Sequence, residues 1–307
     1  MFLDTFKGLS PDNKRIMLAI GPKWSEDIVA NRKVVIDVYT PVLLSRSLDG
    51  IGSKKNISYG PHPRQVLDIY HPEGNQNNPS AVILFVHGGA FVRGDKDANT
   101  HIYANFLTYF ARKGFVGINL EYRQAPEAPF PEGSKDIELS IQWLIKHAIE
   151  LNIDPSRIFL VGHSAGGSHA ASYVLDPNVR PSNGHKIKGL ILISARLKAD
   201  TRADNPNAHG VNAYYGSDES LYDSRSPLTH ADNLDIPILI AVSEFENPGL
   251  DVYASELFYK ISMKNWLSPT FIQVPKHNHT SIVAHFDTEE KTFGIFIEDF
   301  ILKSLKN

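Results

Sequence analysis

The eight residues "LVGHSAGG", 160 to 167, constrain this chain more than any other stretch. An apolar run, "RIFLVGH", leads into Gly162, His163, Ser164, Ala165 and Gly166, and a segment of small residues, "GSHAASYVL", follows. A chain that passes from strand to helix in so few residues needs glycine on both sides of the turn, and the turn lifts the serine hydroxyl clear of the sheet edge. The feature sets a fold class and a candidate nucleophile, Ser164, together. Five residues with three fixed form a weak pattern, and the strand before and helix after make it specific.

The rest of the sequence repeats that alternation. Apolar, β-branched runs at 81–88, 115–122, 157–164, 189–195, 236–244 and 270–275 read as strands. Helical spacing of apolar residues covers 97–113, 135–151, 168–175, 250–264 and 288–305. "NISYG" and "QVLDIYHP", before residue 73, read as an antiparallel edge hairpin. The pattern predicts an α/β fold with a mostly parallel central sheet flanked by helices. Residues 1–50 read as a small helical cap segment, with Ser10 as N-cap and Pro11 at the first helical position, and 51–307 as the catalytic domain. Residues 197–230 form a polar excursion too long for an ordinary connection. Cap and excursion are expected over the carboxyl end of the sheet, where such folds bind ligands.

Composition removes several function classes. The 31 basic and 34 acidic residues are interspersed and give a net charge of -3, so nucleic acid finds no basic face. The absence of cysteine excludes thiolate nucleophiles, disulfides and thiolate metal sites. The opening segment has a polar centre and no later run is long and apolar enough to span a bilayer, so a cytoplasmic chain without membrane insertion is expected.

A serine hydroxyl is a poor nucleophile unless a base takes its proton, a third group orients that base and donors receive the oxyanion. "FVHGGAFVRGD", 85 to 95, ends an apolar run in glycines. The N–H groups of Gly88 and Gly89 are the expected oxyanion donors, with that of Ala165 beside the nucleophile. "KHNHTSIVAH", 276 to 285, holds three histidines, and His277 and His279 would share one face of a strand, as in the start of a metal site.

With these residues in view, the sequence resembles the α/β-hydrolase serine esterases of the hormone-sensitive-lipase-like group. The likeness is carried by "HGGAF" (87–91), "EYRQAPEAPFPEG" (121–133), "DPSRIFLVGHSAGG" (154–167) and "YYGSDESLYDSRSPLTH" (214–230), in the family's order. Ala90 stands where the commonest oxyanion loop has a third glycine, and His163 where an acidic residue often precedes the serine. The second departure points toward the kynurenine-formamidase-like and feruloyl-esterase-like branch. The resemblance implies a triad acid on the turn after "PILIAVSEFENPGLD", which falls on Glu246, with Asp251 the alternative, and a base after "TFIQVP", which falls on His279 and not His277. It implies no metal and no cofactor. His277 is expected in a loop near the entrance and His285 on a helix surface or in packing.

The implied activity is hydrolysis of a small-molecule carboxylic ester through a Ser-His-Glu triad and an acyl-enzyme. Alternatives are an arylformamidase of the N-formylkynurenine type, a lactone esterase for a bulky substrate such as a macrolide, and, outside enzymes, a small-ligand receptor on a hydrolase scaffold. A homodimer stays open. Phe91 and Tyr215 are the foremost candidates for substrate contact, ahead of Trp24 and Tyr214, the alternative being core packing. Arg123 and Glu127 are expected to form an internal ion pair.

Overall fold

The computed structural model describes residues 2–74, 78–97 and 101–306. Its centre is an eight-stranded sheet: β1 (Ile51–Ser58), β2 (Val66–Pro72), β3 (Ser80–Val86), β4 (Val116–Leu120), β5 (Ile153–His163), β6 (Gly189–Ile193), β7 (Ile238–Phe245) and β8 (Thr270–Asn278). The spatial order is β1-β2-β4-β3-β5-β6-β7-β8. β2 pairs antiparallel with β1 and β4, and every pairing from β4 to β8 is parallel. The expected edge hairpin and parallel sheet are both present.

The central strands read as unbroken apolar runs because both faces are covered. Ile83, Phe85, Phe159, Val161 and Ile191 point into one core, where the helices Ile28–Leu44, Ala104–Ala111 and Thr292–Lys306 contribute Val35, Phe106 and Ile297. The alternate residues Val82, Leu84, Ile158, Leu160 and Leu190 point into the other, against Ile141, Val174 and Leu257 of the helices Glu132–Lys146, Ala165–Leu175 and Leu250–Asn265. This two-residue alternation sorts one hydrophobic run into two layers.

Helix boundaries moved where local backbone overrode spacing. The helix expected over 97–113 is Ala104–Ala111, preceded by Tyr103 with φ 82°; residues 98–100 of that expectation lie outside the described residues. The helix expected over 135–151 starts at Glu132 and is interrupted only at His147, whose ring Nδ1 and backbone N–H both turn to Trp143 O, before a last helical turn Ala148–Leu151. The final helix begins at Thr292 and not 288. Residues 197–230 are less irregular than their polarity suggested, since they contain the helix Ala208–Tyr215 and several single turns.

Before β1 run the helix Pro11–Ile20, a short 3-10 turn Trp24–Glu26 and the helix Ile28–Leu44. Ser10 Oγ accepts the Asn13 N–H at 3.2 Å with Pro11 at the first turn, the capping expected from sequence. The segment ahead of this helix is strapped to residues 284 or more positions away: the Phe6 N–H donates to Glu290 Oε2 at 2.7 Å, and the Lys291 N–H donates to Asp4 Oδ2 at 2.7 Å. Among the described residues no helix is long and apolar enough to cross a membrane.

Candidate active site

Four parallel strands deliver the site from their carboxyl ends. Ser164 follows β5, Glu246 follows β7, His279 follows β8, and Gly88 and Gly89 stand just beyond β3. Ser164 has φ 56° and ψ -121°, a conformation costly for a residue with a Cβ and one that persists only under tight surroundings. The surroundings are tight at both glycines. A Cβ on Gly162 would lie 2.6 Å from Gly166 O, and one on Gly166 would lie 2.2 Å from Val86 O.

Ser164, His279 and Glu246 form one hydrogen-bonded line. Ser164 Oγ donates to His279 Nε2 at 2.9 Å, and His279 Nδ1–H donates to Glu246 Oε1 at 2.5 Å. Glu246 also accepts the N–H groups of Asn247 at 2.9 Å and Ser243 at 3.3 Å. Burial alone would raise its carboxyl, but the charge and hydrogen bond of His279, the Ser194 hydroxyl and the Asn247 N–H together hold it below the usual glutamate range. Asp251, the alternative acid, is the second residue of the helix Leu250–Asn265 and stays outside this line. Beside it, buried His163 donates from Nε2 to His279 O at 2.9 Å; burial, then the neighbouring His279 and Arg32, push it well below the ordinary histidine value, so it stays neutral.

The glycine loop after β3 is held open by buried polar groups. His87 Nδ1–H donates to Gly88 O at 2.7 Å and its Nε2 faces Glu121 Oε1 at 3.2 Å, while Tyr122 donates to His87 O at 2.9 Å. Gly89 has φ 151°, and a Cβ there would come within 1.7 Å of Arg93 O. Gly88 and Gly89 line the same pocket as Ser164 and His279. Ala165 is the first residue of the helix Ala165–Leu175, so its N–H has no partner one turn back and the helix adds positive potential at that end.

Several sequence expectations land elsewhere. Phe91 and Tyr215 do not line the pocket: Phe91 stacks on Tyr214 with centroids 4.6 Å apart, Tyr215 packs edge-on against both, and all three are buried. Tyr214 and Tyr215 come from the excursion itself, and the three rings pack on one another instead of facing the pocket. Trp24 does line the pocket. Arg123 pairs with Asp136 at 2.7 Å and Glu132 at 2.8 Å, whereas Glu127 faces His62 at 3.3 Å on the surface, so the expected Arg123–Glu127 pair does not form. His277 is fully buried, not at an entrance: Nε2–H donates to Glu290 Oε1 at 2.8 Å, and Nδ1 faces Ser281 Oγ at 3.0 Å. His277, His285 and Glu290 have candidate ligand atoms within 4.8 Å of one another, the grouping among the described residues that could hold a metal ion.

Sequence reading missed Arg32 and Arg93. Both line the pocket, Arg32 from the helix Ile28–Leu44 and Arg93 from the loop after β3. The signal was present: Ile28, Arg32 and Ile36 recur every four residues, which puts one charge in the middle of an apolar helix stripe.

The BD-FAE family model matches residues 67–260. Among curated sequences, "Lipase 2" of Moraxella sp. (strain TA144) is 41% identical over 96 residues, which is 31% of this chain and 22% of the relative. "Probable carboxylesterase 1" of Arabidopsis thaliana is 30% identical over 177 residues, 52% of this chain and 54% of the relative. The chain thus spans about a fifth of one relative and about half of the other. A solved structure of esterase B from Lactobacillus Rhamnosis (HN001) superposes with a TM-score of 0.74 at 19% identity, over 97% of this chain and 98% of that one, which establishes the shared fold.

Proposed function

The chain belongs to the BD-FAE family, and from that premise we propose that it is a serine-dependent carboxylic-ester hydrolase working through Ser164, His279 and Glu246. The observation that carries the reading is the continuous line from Ser164 Oγ through both nitrogens of His279 to a buried carboxylate.

The chemistry follows from that line. With Nδ1–H committed to Glu246, Nε2 of neutral His279 holds a lone pair toward Ser164 and takes its proton as Oγ attacks the ester carbonyl. Glu246 stabilises the imidazolium without taking the proton itself. The carbonyl oxygen, now negative, is received by the N–H groups of Gly88, Gly89 and Ala165, placed before the reaction and so needing no reorganisation. His279 returns the proton to the leaving alkoxide, which departs as the alcohol. Water enters, gives a proton to His279, and attacks the acyl-serine; collapse releases the carboxylic acid and restores Ser164.

Hydrolysis of p-nitrophenyl butyrate by the purified protein, with Ser164→Ala beside it, tests the reading. Release of p-nitrophenol that vanishes in the variant supports it. Equal rates in both, or none in either, would sink it and return the receptor alternative.

A further inference from the structure

We propose that the pocket over Ser164 selects esters that carry a carboxylate, gripped by Arg32 and Arg93; this names the substrate class of the hydrolase reading and rests on it. The two guanidinium groups are the charged side chains lining a pocket that otherwise offers Trp24, Ile28 and Ile36 on one wall and the catalytic groups on the other, and no Asp or Glu lines it among the described residues.

Other arginines near the site are answered by carboxylates. Arg64 pairs with Glu121, Arg123 with Asp136 and Arg196 with Asp200. Neither Arg32 nor Arg93 has such a partner among the described residues. Arg93 donates from Nη2 to the neutral Asn207 Oδ1 at 2.9 Å, which fixes its direction without cancelling its charge. Arg93 is exposed as a residue, and partial burial of its guanidinium first, then the positive charge of Arg32, make it a weaker base than usual, so the two cations feel one another. The field of Arg32 also reaches His163 and Tyr103, both of which line the pocket.

Two like charges beside a half-buried cavity repel each other while the cavity is empty, and an anion between them reverses the sign of that interaction. Guanidinium suits carboxylate by its planar donor pair. The aliphatic walls around Arg32 favour a monoanion on a short apolar stem over a dianionic phosphate, whose hydration is costlier to remove.

The test compares kcat/KM within two matched pairs of esters. One pair is mono-p-nitrophenyl glutarate and p-nitrophenyl pentanoate, with the carboxylate on the acyl side. The other is 4-acetoxybenzoate and 4-methylphenyl acetate, with it on the leaving group. The anionic member of at least one pair is expected to lead by about tenfold at low ionic strength, and the lead to shrink as salt screens the guanidinium charges. Arg32→Gln should bring the ratio close to one, with circular dichroism verifying the fold, and Arg93→Gln should lower it in the same direction. A wild-type ratio near one in both pairs, or a ratio indifferent to both substitutions, overturns the proposal while neutral-ester turnover leaves the hydrolase standing. If no ester is hydrolysed, the hydrolase reading fails, and calorimetric titration with glutarate decides the anion site alone. Binding that is lost in Arg32→Gln supports the site; no binding to the parent overturns it.

Discussion

Trp24 Nε1–H donates to Asn247 Oδ1 at 2.8 Å, joining the segment before β1 to the residue that follows Glu246. Asn247 in turn gives its backbone N–H to Glu246 Oε1. The pocket wall and the seat of the acid are therefore one hydrogen-bonded unit. Trp24→Phe keeps most of the ring and leaves the Asn247 amide unsatisfied, at a cost of about 1–3 kcal/mol. Urea unfolding should show that loss, and ester turnover should fall severalfold. Unchanged turnover would separate the wall from the acid.

Ser164→Ala and His279→Ala should each lower kcat by at least about a thousandfold, and Glu246→Gln by a comparable factor, since an amide holds the wrong imidazole tautomer. His277→Ala should act differently. It strands buried Glu290 without its histidine, so about 3 kcal/mol of stability is expected to go. Rates measured well below its lowered melting temperature should stay within about tenfold of the parent. Thermal melts run beside the kinetics distinguish the two kinds of loss.

Gly166→Ala tests the geometry of the turn. The new Cβ would press on two backbone carbonyls, Val86 O at 2.2 Å and His87 O at 2.4 Å, neither of which can step aside without shifting β3. A loss exceeding about 3 kcal/mol is expected, with turnover abolished in whatever folds. A stable, active variant would show that the turn has slack.

Acid should weaken the fold through buried histidines. Burial pushes His285 down to about 4 and His169 down to about 3. Unfolded, both would take protons near the ordinary value of about 6.5. Between these limits the unfolded chain binds more protons, so stability is complete above about pH 6.5 and falls as pH drops toward 4. The share from His285 is on the order of 3 kcal/mol. His285→Asn keeps a donor for Ser281 O and removes the titration, so its unfolding free energy should change less steeply over that window. An identical slope would exonerate His285.

Strands, order of elements and Ser164 were legible because each is written in local spacing. Glu246 and His279 were reachable only through resemblance, since nothing within "SEFENPGLD" or "KHNHTS" says which acid or which histidine faces the serine; β7 and β8 settle that by where they end. Phe91 and Tyr215 misled because an aromatic after a strand reads the same whether it meets substrate or another ring. His277 misled for a related reason: its partner, Glu290, lies beyond an intervening turn that spacing does not resolve. Arg32 went unread because its meaning depends on a sheet that begins nineteen residues later, at Ile51.

The strap from Phe6 to Glu290 has a bearing on how the molecule comes into being. It joins groups 284 positions apart, so as the polypeptide leaves a ribosome this tie has no partner until the whole sheet, ending at Asn278, has been synthesised. The serine turn can form midway through translation, whereas this long-range tie closes last.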